Sequence, residues 1–119
     1  MTDEQEQIDL TLDLTLDEYQ VFALRTWTRR AEEDANFGYL ALGLCDEAGE
    51  VAKVVKRAFW HGKEIDKEAM KEELGDTLWY IAVFAHELGF TLEDVAADNI
   101  VKLSARYPGG FVQRWGNGR

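Results

Sequence analysis

The chain has little cysteine, proline or histidine. A single cysteine, Cys45, excludes an intrachain disulfide and fits a reducing cytosol. A single proline, Pro108, leaves every earlier segment free to form uninterrupted helix. No long hydrophobic run is present. The strongest, "LWYIAVFA" at 78–85, is far too short to span a bilayer. The N-terminus is acidic and lacks the apolar segment of a secretory leader, so a cytoplasmic protein is expected. No basic stripe suits a nucleic-acid polymer or an anionic membrane surface.

What is present is acid. The 119 residues carry a net charge of −10, unevenly spread. Residues 1–20 hold seven acids and no lysine or arginine, and the remaining 99 residues hold 16 acids against 13 bases. The length suits one domain, with a core modest enough to make self-association plausible. Residues 1–14 form an acidic arm. Within it "IDLTLDLTL" (8–16) alternates apolar and polar residues like a strand, with no obvious partner strand in the chain.

Four helices are expected after the arm. Thr15 and Glu18 form a capping box that starts the first, expected to reach about Asp34. The second is expected over about Tyr39 to Trp60, followed by a loop, "HGKEID" (61–66). Asp66 caps a third helix that runs through Leu88 and stops at Gly89. Thr91 with Asp94 starts a fourth, which Pro108 ends. Residues 112–119 read as an irregular tail. The fold class is all-α, a four-helix bundle over residues 15–111 with an extended acidic arm.

Apolar periodicity places the acids. On helix 2 the stripe is Leu40, Leu44, Glu47, Val51, Val54 and Ala58, with Glu47 inside it and Glu50 at its edge. On helix 3 the stripe is Met70, Leu74, Thr77, Ile81, Phe84 and Leu88, with Glu73, Asp76 and Tyr80 along one edge. On helix 4 it is Leu92, Ala96, Ile100 and Leu103, flanked by Asn99, Lys102 and Arg106. One E-x-x-E on a helix is ordinary surface charge. Two acid pairs at i,i+3 on consecutive helices, both at the apolar margin, are not. Antiparallel packing would gather Glu47, Glu50, Glu73 and Asp76 into a cluster that repels itself unless protonated or neutralised. Hard oxygen donors of this kind select Mg²⁺, Mn²⁺ or Ca²⁺ over soft metals.

Other metal chemistry does not fit. Di-iron bundles need Glu-x-x-His, but Ala58 precedes His61 and Val83 precedes His86 by three residues. "HELGF" (86–90) has Phe90 where a zinc H-E-x-x-H has its second histidine. No phosphate-binding G-x-x-x-x-G-K-[ST] loop is present.

"EAGE" (47–50) and "ELGD" (73–76), separated by 22 residues, resemble the E-x-x-E…E-x-x-D signature of the MazG-like all-α nucleotide pyrophosphohydrolases. The flanking phrases "LALGLCDEAGEVAKVVK", "HGKEIDKEAMKEELGDTLWYIAVFAHELG" and "NIVKLSARYPGGF" extend the resemblance over residues 15–111. Asp46 departs from the pattern, standing where many relatives have glycine. The resemblance implies Mg²⁺-dependent hydrolysis of a (deoxy)nucleoside triphosphate to monophosphate and pyrophosphate, in nucleotide-pool housecleaning. It implies that Glu47, Glu50, Glu73 and Asp76 hold the metal, with Glu50 also orienting the attacking water. Lys53, Lys102 and Arg106 are candidates for phosphate, and Tyr80 and Asn99 for ribose or base. Trp60 and Trp79 fit packing better than base stacking. A homodimer or homotetramer is the expected assembly. Two other readings stay open: a phosphoribosyl-ATP pyrophosphohydrolase-like enzyme and a non-catalytic helical interaction module.

Overall fold

The computed structural model describes residues 13–110. It contains four helices: α1 (Leu16–Leu24), α2 (Glu33–His61), α3 (Lys67–Glu87) and α4 (Leu92–Arg106). No strand occurs among the described residues: residues 13–15 have no regular structure and Leu16 starts α1, while the rest of the strand-like arm and the irregular tail fall outside them. The all-α expectation therefore holds.

Local chemistry sets most of the boundaries. Thr15 accepts from the Glu18 backbone N–H, and Glu18 accepts from that of Thr15, each at 3.1 Å. The same reciprocal arrangement joins Thr91 and Asp94 at the start of α4. Asp66 caps α3 through the Ala69 N–H at 3.1 Å. Gly62 ends α2 at φ 62°, a left-handed conformation that glycine adopts without strain.

The first connection differs from the sequence expectation. Helix 1 ends at Leu24 rather than near Asp34, and helix 2 begins at Glu33 rather than near Tyr39. Side-chain hydrogen bonds, long-range from Trp79 and local from Asn36, accompany the break. The Trp79 indole N–H reaches the Ala23 carbonyl at 3.0 Å and the Thr26 hydroxyl at 2.8 Å, which satisfies a helix-end acceptor. Asn36 is fully buried and stitches the returning chain. It accepts from the Arg30 N–H at 2.7 Å and donates to the carbonyls of Arg30 at 2.9 Å and Glu32 at 3.1 Å.

Helices α2 and α3 form an antiparallel pair. Phe37 stacks on Phe84, Tyr39 meets Tyr80, and Glu47 meets Glu73, so position falls along α3 as it rises along α2. Helix α1 packs across α3 and against α4, while α4 has no packing partner in α2. Gln20 locks this corner: its amide donates to the carbonyls of Ala82 and Phe90 and accepts from the Leu92 N–H, at 2.9–3.1 Å. Ala23, Leu40, Ala82, Val83 and Leu92 form the core. The expected stripes are only partly covered. Leu74 on α3, Leu88 at its C-cap, and Ile100 and Leu103 on α4 are exposed, with no helix among the described residues covering them. Trp60, expected to pack, is 77% exposed.

Candidate functional site

The α2–α3 seam turns from apolar to acidic at one level. Glu47 on α2 and Glu73 and Asp76 on α3 each offer a carboxylate oxygen, and the three lie within 4.8 Å of one another. Glu47 and Glu73 are half-buried and Asp76 is exposed. The i,i+3 spacing puts Glu73 and Asp76 one turn apart on α3, and antiparallel packing brings Glu47 across to them.

Electrostatics registers the crowding. Partial burial raises the Glu47 pKa above the ordinary carboxylate value. The charges of Asp76, Glu73 and Asp46 and a hydrogen bond with Glu73 raise it further. Two carboxyl groups share a hydrogen bond only when one holds a proton, so the cluster favours a bound proton or a cation. All three donors are hard oxygens on side chains that solvent can reach, a set that suits Mg²⁺. The residues present therefore fit the metal that the sequence pattern implies.

Glu50, the fourth acid, lies outside this tight group. It pairs instead with Lys53 at 3.3 Å, one turn further along α2. Tyr80 is next to the cluster. Its phenol is pushed up to about 12 by burial, by hydrogen bonding and charge coupling with Tyr39, and by Glu47 and Asp46. The Tyr80 ring fills the space beside Gly43, where an added Cβ would lie 2.1 Å from its Cε1. Only glycine lets that ring lie flat against α2.

Asn99, Lys102 and Arg106 are not brought to the cluster. All three are exposed on α4, which does not pack on α2. Their shared helix-flank pattern suggests one site with the acids, but among the described residues α4 has no packing contact with α2, which carries Glu47.

The structure adds residues that periodicity misses. Tyr19 on α1 lies close enough to Asp76 for that charge, after burial, to raise its pKa. Tyr39 and Trp27 extend the aromatic wall beyond Tyr80, with Trp27–Tyr39 centroids 5.7 Å apart and Trp79–Tyr80 centroids 4.9 Å apart. Arg30 lies over Tyr39 at 4.2 Å. The aromatic density of residues 19–39 is the available signal, but the short α1 hides which of these side chains turn toward α3.

Four helices with an interhelical trio of carboxylates define an all-α, acid-rich domain whose side chains could hold a metal ion. Comparison with known proteins makes the class specific: the MazG nucleotide pyrophosphohydrolase domain matches residues 36–111, and the chain belongs to that family. The matched stretch holds all four acids of the E-x-x-E…E-x-x-D pattern. The chain is also similar to the gene 37 protein of Mycobacterium phage L5, 31% identical over 112 residues, covering 87% of this chain and 98% of that protein. No solved structure matches. No helix among the described residues is long and apolar enough to cross a membrane.

Proposed function

We propose that this protein hydrolyses (deoxy)nucleoside triphosphates to the monophosphate and pyrophosphate, as a cytoplasmic nucleotide-pool enzyme. The observation that carries the reading is the meeting of Glu47, Glu73 and Asp76 within 4.8 Å across two helices. These three carboxylates would hold Mg²⁺, or Mn²⁺ in its place, with Glu50 completing the set from the next turn of α2. The ion, when bound, supplies charge neutralisation for the phosphates and lowers the pKa of an attacking water. Triphosphate cleavage needs positioning and neutralisation more than covalent help, which suits a site with no nucleophilic side chain.

The chain's own groups have distinct tasks. Glu50 is well placed to orient the water or take its proton, because it is half-buried and stands one turn from Glu47. Release of its pairing with Lys53 would free that ammonium for a phosphate oxygen. Tyr80, still protonated at neutral pH, offers an O–H donor to ribose or base beside the carboxylates. Asn99, Lys102 and Arg106 would contribute from a second copy of the chain. A homodimer or homotetramer is supported by the exposed apolar residues on α2 and α4, among them Leu42 and Ile100.

Product analysis tests the reading. With Mg²⁺ and a panel of nucleoside triphosphates, the products should be monophosphate and pyrophosphate. Nucleoside diphosphate with orthophosphate would place attack at the wrong phosphorus and refute it.

A further inference from the structure

Resting on the nucleotide reading above, we propose that Arg30 reads the substrate base and selects bases with two adjacent hydrogen-bond acceptors. Guanine and cytosine meet that condition. Adenine and thymine do not.

Arg30 is an exposed loop residue with an anchored backbone. Its N–H and carbonyl are both held by Asn36, at 2.7 and 2.9 Å, and Asn36 is fully buried. Its guanidinium carbon lies 4.2 Å from the Tyr39 ring centroid and 5.9 Å from that of Trp27. The neighbouring Arg29 is bound to Glu87 at 2.8 Å, whereas among the described residues no carboxylate pairs with Arg30. The guanidinium is thus stacked and positioned, and its donors are uncommitted. A guanidinium that stacks on aromatic rings while presenting a planar fork of N–H groups is a recognition element.

Its position relates it to the acids. Tyr39, Gly43, Asp46 and Glu50 recur at i, i+4, i+7 and i+11 along α2, so they form one ridge. Tyr39 stands eight residues before Glu47, about 12 Å along the helix axis. That separation is comparable with the reach of an extended nucleotide from its phosphates to its base. Phosphates at Glu47 would leave the base against Tyr39, Trp27 and Arg30, a platform suited to stacking. The fork then discriminates. Guanine O6 and N7, or cytosine O2 and N3, accept two parallel N–H groups. Neither adenine nor thymine has two adjacent acceptors: adenine N1 and N7 lie beside the N6 amino donor, and thymine O2 and O4 lie beside N3–H, which opposes one N–H of the fork. Arg30 also precedes the residues matched by the family domain, 36–111, and lies in the connection between α1 and α2.

The test compares kcat/KM for dGTP, dCTP, dATP and dTTP in the wild type, Arg30→Ala and Arg30→Lys. Binding of the four monophosphates is read in parallel by tryptophan fluorescence. The wild type should favour dGTP or dCTP over both other substrates by about tenfold or more, a modest value for one bidentate pair. Arg30→Ala should bring the ratios close to one, with a much larger fall for dGTP or dCTP than for dATP and dTTP, which lose only the stacking contribution. Arg30→Lys, with the charge but no fork, should behave like Arg30→Ala. A wild type with no base preference overturns the proposal. So does Arg30→Lys with wild-type selectivity, or an equal fall on all four substrates, which would mark a phosphate contact or a folding role. If no triphosphate is cleaved while the monophosphates bind with the Arg30-dependent preference, base reading stands and the hydrolytic reading fails. Absence of both cleavage and selective binding overturns the two together.

Discussion

On α2 and α3, Leu40, Val54, Ala82 and Val83 are buried, and so is the polar Asn36. On α4 only Leu92 is buried, while Ile100 is 63% exposed and Val101 67%. Both regions have helical apolar stripes flanked by polar residues. They differ in whether this chain supplies a partner helix. The α2–α3 pair closes on itself and can therefore fix three acidic side chains against one another at a definite spacing. Among the described residues, helix α4 meets only α1 and α3, and Asn99, Lys102 and Arg106 on its flank are exposed. The carboxylate trio thus meets within one chain, whereas Asn99, Lys102 and Arg106 join it only under the proposal that a second copy supplies them.

The largest expected effect separates the two regions directly. Glu47→Gln, Glu73→Gln and Asp76→Asn keep shape and remove a charge from the cluster. Removing even an outer-shell partner of a metal costs about 10–100-fold, so loss of a ligand should lower Mg²⁺-dependent turnover by about 100-fold or more. Lys102→Ala and Arg106→Ala should raise KM and leave the folded chain intact. Glu68→Gln and Glu72→Gln, exposed and outside the cluster, should change nothing. Steady-state kinetics on the seven variants checks the pattern, and wild-type rates in the first three would erase the distinction.

The carboxylate pattern is legible in the sequence because i,i+3 spacing and apolar periodicity are local. They suffice to assign Glu47, Glu73 and Asp76 to the facing margins of two helices. Other features are not legible, because distant groups decide them. Leu24 ends α1 where Trp79 satisfies the Ala23 carbonyl, and α2 starts early where Asn36 reaches back to Arg30. The exposure of Leu74 and Ile100 is hidden for the opposite reason: periodicity marks an apolar face but not whether the same chain covers it. Gly43 reads as an ordinary helix glycine, and only the Tyr80 ring lying against it gives the reason for its small size.

That contact yields the next effect in size. Gly43→Ala puts a methyl group into the Tyr80 ring, which is hemmed in by Trp79 and Tyr39. Overpacking of this kind costs about 1–3 kcal/mol. In a Tyr80→Ala background the same change should stabilise, by up to about 1 kcal/mol, because alanine is the better helix former. Urea unfolding of the four proteins measures the cycle. Equal effects of Gly43→Ala in both backgrounds would show that ring contact is not what requires glycine.

The smallest effect is a pH contrast between two ends of α3's packing. Glu47 has a raised pKa in the folded state, so its contribution to stability is full below the ordinary carboxylate pKa and is lost as pH rises through the folded value. Glu87 has the opposite sign. Burial alone would raise it, but hydrogen bonds from Arg29 and Trp27, at 2.8 and 3.0 Å, and the Arg29 charge leave it lowered. Its contribution is present above the ordinary carboxylate pKa and is lost as pH falls through the folded value. Denaturant unfolding against pH in EDTA should therefore show Glu47→Gln removing the loss on the higher-pH side and Glu87→Gln flattening the low-pH side. Parallel curves for the two variants would contradict the assigned signs.

Thermal melting with and without Mg²⁺ addresses the carboxylate cluster without relying on turnover. A cation that binds only the folded state raises Tm, with a stabilisation that grows as the logarithm of 1 + [Mg²⁺]/Kd, and relieves the repulsion around Glu47. Wild-type protein in millimolar Mg²⁺ should melt at a higher temperature than in EDTA, and Asp76→Asn and Glu73→Gln should lose most of that rise. Coincident wild-type melts in Mg²⁺ and EDTA would contradict a divalent-cation site at Glu47, Glu73 and Asp76.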